Sequence, residues 1–401
     1  MSQTAASPQV RASPSLFILI HAAFVLTGMV TTLLGPILPA LSARWSLEDS
    51  QAGYLFTSQF FGSMAGVALS SALIPRRGFQ SSLVLGLGMM GAGVGTLALG
   101  TWAIGLLSVF CYGIGLGITI PAANLLVADA NPGRRAAALN ILNLAWGMGA
   151  VACPPLAASL HRGNNFRLLL LGLALALGLM LVCIASISFS GLRDEPGQVD
   201  PPVHTRAIAW RSRFAPVLGA LFFLYVGTES SLGGWIASYA QRVSTAPASE
   251  WMLTPSAFWG ALLLGRALAP AVLRHVAETT HVLVGLLLAV LGVATLLAAD
   301  SLPVVVAGAG LAGLGLGPVF PITVAILSHH FGSLASRVAG LMFALSGLGG
   351  ATLPWLVGFL STHSGSLKAG LVVPLLGSLG MSALYLANLR ATTSTGLRSQ
   401  N

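Results

Sequence analysis

Charge is what this chain lacks most. Only 7% of its 401 residues are Asp, Glu, Lys or Arg, and Lys368 is the single lysine. A soluble domain carries about 25% charged residues, so a globular fold surrounded by water is excluded. Cysteine is scarce as well. Cys111, Cys153 and Cys183 each stand alone inside an apolar run with no metal-type spacing, which excludes a disulfide framework and a thiolate metal centre and leaves them as packing residues. No nucleophile, base and metal set clusters in the sequence, so neither enzyme chemistry nor a cofactor or metal is expected. The formal net charge of +9 would suit a nucleic-acid binder. It rests on arginines scattered through short loops, where membrane topology accounts for them, and no nucleic-acid partner is expected.

What the chain has in excess is apolar length. Hydrophobic residues make up 55% of it, and the mean hydropathy is +0.85. A bilayer-spanning helix needs roughly 17 to 25 apolar residues, and that rule gives twelve helices. Six lie at 16–41, 51–74, 81–101, 104–130, 135–160 and 167–190, and six at 213–240, 252–275, 280–299, 302–329, 334–361 and 367–390. The expected organisation is a polar tail over 1–15, a six-helix bundle over 16–190, a Pro- and acid-containing linker over 191–212, a second bundle over 213–390 and a tail over 391–401. Thirteen Lys and Arg fall on the side of both termini and the linker and five on the other, which puts both termini in the cytoplasm. Arg266 belongs to neither side, because it lies within a helix.

The two halves read as copies. Gly113-x-Gly-x-Gly-x-x-x-Pro121 recurs 200 residues later as Gly313-x-Gly-x-Gly-x-x-x-Pro321, and Gly147-x-Gly149 with Pro154 recurs as Gly347-x-Gly349 with Pro354. Duplicated halves are the architecture of many secondary transporters, with the solute site between the halves near the membrane midplane. Gly86-Leu-Gly-Met-Met-Gly91 matches a dinucleotide fingerprint. It sits inside an apolar span rather than between a strand and a helix, and reads as a small-residue face for helix packing.

Glu229, within the run Tyr225 to Tyr239, is the residue most in need of explanation. An acid at the centre of a spanning helix costs roughly 2.5 to 3.5 kcal/mol on insertion scales and survives facing a cavity or a partner. It reads as a protonation site, a fixed hydrogen-bonding group for a solute, or a structural group neutralised by a partner. Counted along their helices, Glu229 and Arg266 lie about 10 Å apart in depth. That spacing argues against a direct pair and for Arg266 in a cytoplasmic gate, against Asp129 or helix-end carbonyls; Asp129 itself reads first as an interfacial residue paired locally with Arg134 or Arg135, and second as a gate residue. Asn140, Asn143 and Trp146 follow helical spacing on the fifth helix, and Asn124 follows Pro121 in the fourth. These amides suit a hydroxyl-rich solute or bonds between helices. The aromatics Trp146, Trp235, Tyr239, Trp259 and Trp355 suit either stacking on a sugar ring or placement at a membrane interface, and Trp235 and Tyr239, one turn apart beyond Glu229, are the favoured pair for a solute.

At this point the sequence resembles the major facilitator superfamily and, within it, the fucose permease family of sugar transporters. The resemblance is carried by Leu139-Asn-x-x-Asn-x-x-Trp-Gly-x-Gly-Ala150 with Pro154, by Tyr225-Val-Gly-x-Glu-x-Ser-x-Gly-Gly-Trp-Ile236 and by Ala122-Ala-Asn124. It implies an all-α membrane protein with twelve transmembrane helices in two pseudo-symmetric bundles. It also implies alternating-access transport of a monosaccharide, proton symport, and a monomer in the inner membrane with both termini cytoplasmic. Pro75-Arg76-Arg77-Gly78 lacks the aspartate usual in the superfamily's loop between helices two and three. Gly35 and Ile120 stand where fucose-permease-like symporters carry acids, which leaves Glu229 as the central acid for proton coupling, with simple facilitated diffusion as the alternative. Export of amphipathic compounds on the same fold and a non-transporting sensor are the rival readings.

Overall fold

The computed structural model describes residues 14–161, 166–187, 189 and 214–398; the expected linker and the first thirteen residues lie outside these. The described residues are all-helical and build twelve passes. The first is Pro14–Thr32 continued as Leu34–Trp45, the second and third share Asp49–Leu99, and the fourth to sixth are Trp102–Ala130, Arg135–His161 and Phe166–Ser186. Phe214–Val243 is the seventh, Ala248–Trp251 with Thr254–Val272 the eighth, and Glu278–Ala298 the ninth. The tenth is Leu302–Leu316 with Val319–Phe331, the eleventh Ala335–Ser364, and the last Leu367–Gly370 with Val372–Arg398. The final helix thus runs through residues that the sequence assigned to a tail.

The breaks have local causes. Pro36 cannot donate to the carbonyl four residues back, at Thr32, and its ring crowds that carbonyl, so the first pass is interrupted at Leu33. Asp49–Leu99 holds 51 residues, about twice the length of a spanning helix, and reverses at Gly78, whose φ of 76° a side chain would oppose. The fourth helix loses one amide, at Pro121, and stays continuous. Its counterpart, the tenth, loses two, at Pro318 and Pro321, and is interrupted at Gly317–Pro318.

The glycine repeat is a packing repeat. A side chain at Gly113, Gly115 or Gly117 would run into the backbone carbonyls of Gln59, Gly86 and Ser63, respectively. At Gly313, Gly315 and Gly317 the obstructing carbonyls are those of Phe258, Gly285 and Leu262. Each partner is offset by 199 residues from its counterpart, so the fourth helix meets the second and third as the tenth meets the eighth and ninth. Lipid supplies little hydrophobic force between helices, and close backbone approach over small residues is what holds them.

Candidate functional site

A cavity of about 190 Å³ lies between the halves, well above the roughly 10 to 15 Å³ that one water requires. The first half contributes Thr31 and Gly35 from the first pass, Gln59 and Phe60 from the second and Trp146 from the fifth. The second half contributes Glu229, Ser230 and Gly233 from the seventh pass and Trp259 from the eighth. The wall is mostly apolar, built of aromatic rings, glycines and the aliphatic side chains of Leu34 and Val226, and set into it are the hydroxyls of Thr31, Thr32 and Ser230, one amide and one acid.

That acid is paired. Arg266 Nη2 donates to Glu229 Oε1 at 2.8 Å and to the Tyr225 hydroxyl at 3.2 Å, while that hydroxyl donates to Glu229 Oε1 at 3.2 Å. The side chains of Arg266 and Glu229 are 27% and 13% exposed. The expected separation in depth is therefore overturned, and so is the expected partnership of Arg266 with Asp129. Side chains lean toward the N-terminus of their own helix. In antiparallel neighbours such as the seventh and eighth passes, Glu229 and Arg266 lean toward each other and close a gap that counting residues along the axes leaves open. Asp129 lies 4.0 Å from Arg135 instead, with both side chains more than half exposed. The pair carries no net charge, so the cavity presents hydrogen-bonding groups rather than a free ionic one.

Trp146 lies on the cavity wall, its indole N–H donating to Thr31 Oγ1 at 3.3 Å and its ring meeting Trp259 edge to face at 5.9 Å across the junction of the halves. Trp235 and Tyr239 are placed elsewhere. Trp235 is fully buried, donates to the Pro354 carbonyl at 2.9 Å and packs on Phe56. Tyr239 donates to the Leu296 carbonyl at 2.6 Å. Their shared helix face meets the ninth and eleventh passes rather than the cavity in this conformation. Asn124 bonds back to the Ile120 carbonyl at 2.8 Å and Asn143 to that of Leu139 at 2.9 Å. Asn143 and Asn140 are exposed, on the face that continues from Trp146 toward the end bearing the termini. Sequence reasoning missed Gln59, whose amide donates to the Thr31 carbonyl at 3.1 Å and accepts from the Tyr112 hydroxyl at 2.9 Å. A polar residue inside an apolar span was the available signal.

The halves meet on the side of the cavity away from the termini. Thr57 donates to the Ala351 carbonyl at 2.7 Å and Ser256 to that of Val151 at 2.8 Å. The two bonds are copies, with donors 199 and acceptors 200 residues apart. Farther out, Arg242 clasps Asp49 with both terminal nitrogens at 2.7 and 2.5 Å, the Ser361 hydroxyl donates to the same carboxylate at 2.5 Å, and the Ser50 amide donates to Thr362 Oγ1 at 2.9 Å. These contacts close the far end, whereas the amides of the fifth helix are exposed on the near side.

Comparison with known proteins agrees with this architecture. The sequence profile of the Major Facilitator Superfamily matches residues 20–354. A glucose/galactose transporter of Brucella abortus is 27% identical over 85% of this chain and 86% of its own length. The multidrug efflux protein YfmO of Bacillus subtilis is 25% identical over 92% and 93%. Among solved structures, the nucleoside transporter NupG superposes with a TM-score of 0.78 at 11% identity, covering 93% of this chain and 99% of that one. The fucose:proton symporter FucP of E. coli superposes with a TM-score of 0.63 at 16% identity, covering 92% and 97%. With a profile match over most of its length and twelve passes of the same fold, this multi-pass membrane chain belongs to the Major Facilitator Superfamily.

Proposed function

We propose that this chain carries a small neutral hydroxylated solute, a monosaccharide, across the inner membrane by alternating access, as a monomer with both termini in the cytoplasm. The observation that carries the reading is the composition of the cavity wall: Thr31, Gln59 and Ser230 beside the rings of Trp146 and Trp259, with the one acid already neutralised by Arg266. Hydroxyls and amides both donate and accept, as sugar hydroxyls do, and aromatic faces pack against the ring. The name of the Brucella abortus relative supports the same solute class. Asn140 and Asn143 extend the polar face from the cavity to the open side and form the approach for the solute. Asn124 belongs to the same polar set on the fourth helix, and Trp235 and Tyr239 are reserved for the conformation in which the far end opens.

Proton coupling runs through Glu229 in this reading. Protonating its carboxylate cancels the attraction to Arg266, so proton uptake and loosening of the seventh helix from the eighth are one event. In proteoliposomes, Glu229→Gln abolishes pH-driven accumulation of D-glucose or D-galactose and leaves exchange of the sugar measurable. Accumulation that persists in the variant removes Glu229 from coupling, and equal loss of binding and exchange makes it a solute ligand.

Export of amphipathic compounds is the second reading, favoured by the efflux relative. Thermal-shift binding to a sugar panel at two pH values separates the two, because a bound ligand stabilises the fold. A flat panel with protection by lipophilic cations supports export.

A further inference from the structure

Among the described residues several buried polar atoms have no hydrogen-bond partner, and of the residues that carry them only Trp259 lines the cavity. Trp259 is 7% exposed, yet its indole Nε1–H donates to nothing. A buried tryptophan N–H normally finds an acceptor, and Trp146 and Trp235 both do. The six-membered-ring edge of Trp259, including the Cε2 to which Nε1 is bonded, lies against Gly233, another residue of the cavity wall.

The internal duplication shows what is special about the position. The residue 199 places earlier is Phe60, which also lines the cavity. An aromatic ring thus stands at the equivalent place in both halves, and the second half adds a hydrogen-bond donor. The amide of Gln59, the first half's polar group nearest this position in the chain, is engaged by Thr31 and Tyr112. The indole N–H of Trp259 is left with its bonding capacity unspent.

We infer that Trp259 is a specificity-determining residue whose indole N–H donates to one hydroxyl oxygen of the bound sugar, an assignment that rests on the sugar reading above. The ring of Trp259 also holds Trp146 edge to face across the junction, and Ser256, one turn earlier, makes one of the two duplicated bonds between the halves. A solute held here sits on the element that joins the halves.

The test is Trp259→Phe, which restores the residue of the first half and keeps the ring, with Trp259→Tyr as a second variant and Trp355→Phe as control. The Trp355 N–H is also buried without a partner, but that residue lies outside the cavity wall. Binding of D-glucose, D-galactose and their monodeoxy analogues is measured by calorimetry on purified protein. Trp259→Phe is expected to weaken binding of the parent sugar about tenfold, with Trp355→Phe unchanged. One monodeoxy analogue should lose about the same factor on the unmodified protein and nothing further on Trp259→Phe. Equal affinity of both Trp259 variants and the unmodified protein overturns the assignment while leaving the sugar reading intact, and means that water alone meets the indole. An unmodified protein that binds none of the sugars overturns the sugar reading and this assignment with it.

Discussion

Arg266 and Glu229 form a largely buried pair in which each side chain is the other's reason for being there. Removing one partner of such a pair is costlier than removing both, because the survivor is left desolvated and unmatched, at roughly 3 to 5 kcal/mol. Arg266→Met is therefore expected to lower thermal stability in detergent strongly, and the double change Arg266→Met with Glu229→Gln to recover at least half of that loss. Two substitutions whose effects simply add would show that the carboxylate and guanidinium are not energetically coupled. Tyr225 is the third member, donating to the acid while accepting from the arginine. Arg266 was legible from the sequence as an anomaly, but its partner was not. Residue counting gives depth along an axis and is blind to the direction in which a long side chain leans.

At the scale of helices, the far-end closure joins the start of the second to the end of the seventh. Asp49 lies in the first turn of its helix and Arg242 in the last turn of its own. An acid at a helix N-terminus and a cation at a C-terminus are each favoured by the aligned peptide dipoles, so both helix ends reinforce the ion pair. The Arg242 side chain is 45% exposed, which limits the pair to about 1 kcal/mol, or roughly fivefold in the ratio of closed to open far ends. Asp49→Asn should shift that ratio toward the far-open state. Distances between spin labels on the far-end loops of the two halves would report it, and an unchanged distribution would mean that the bonds of Thr57, Ser256 and Ser50 hold the closure without the ion pair. None of these partnerships could be read from local pattern, because Asp49 and Arg242 lie 193 residues apart.

For the whole molecule, the twelve passes were legible from hydropathy because each must present about 20 apolar residues to lipid. The duplication was legible because glycine is the residue that lets backbones touch, and the same carbonyls obstruct the same positions in both halves. The cavity was half legible. Glu229 and the tryptophans Trp146 and Trp259 stood out, while Gln59 and Thr31 acquire meaning only once the halves are brought together. Trp235 and Tyr239 share a helix face as expected, but face sharing does not say which neighbour the face meets. A conformation closed at the far end makes a prediction for the molecule as a whole. With Cys183, the exposed native thiol, replaced by alanine, a cysteine at Asn143 should react with a membrane-impermeant maleimide from the face bearing the termini and not from the other. Labelling from the opposite face alone would reverse the orientation.

The interruption of the tenth helix has a mechanical corollary. In the first half, the fourth helix runs unbroken past its single proline and behaves as a strut. In the second, the ladder of hydrogen bonds is already open at Gly317–Pro318, so flexing there sacrifices less than flexing anywhere else along that span. Gly317 packs directly on the backbone of Arg266. The weakest point of the tenth helix therefore abuts the residue that neutralises the acid in the cavity wall, and the two bundles, alike in outline, differ in stiffness at the place where charge is held.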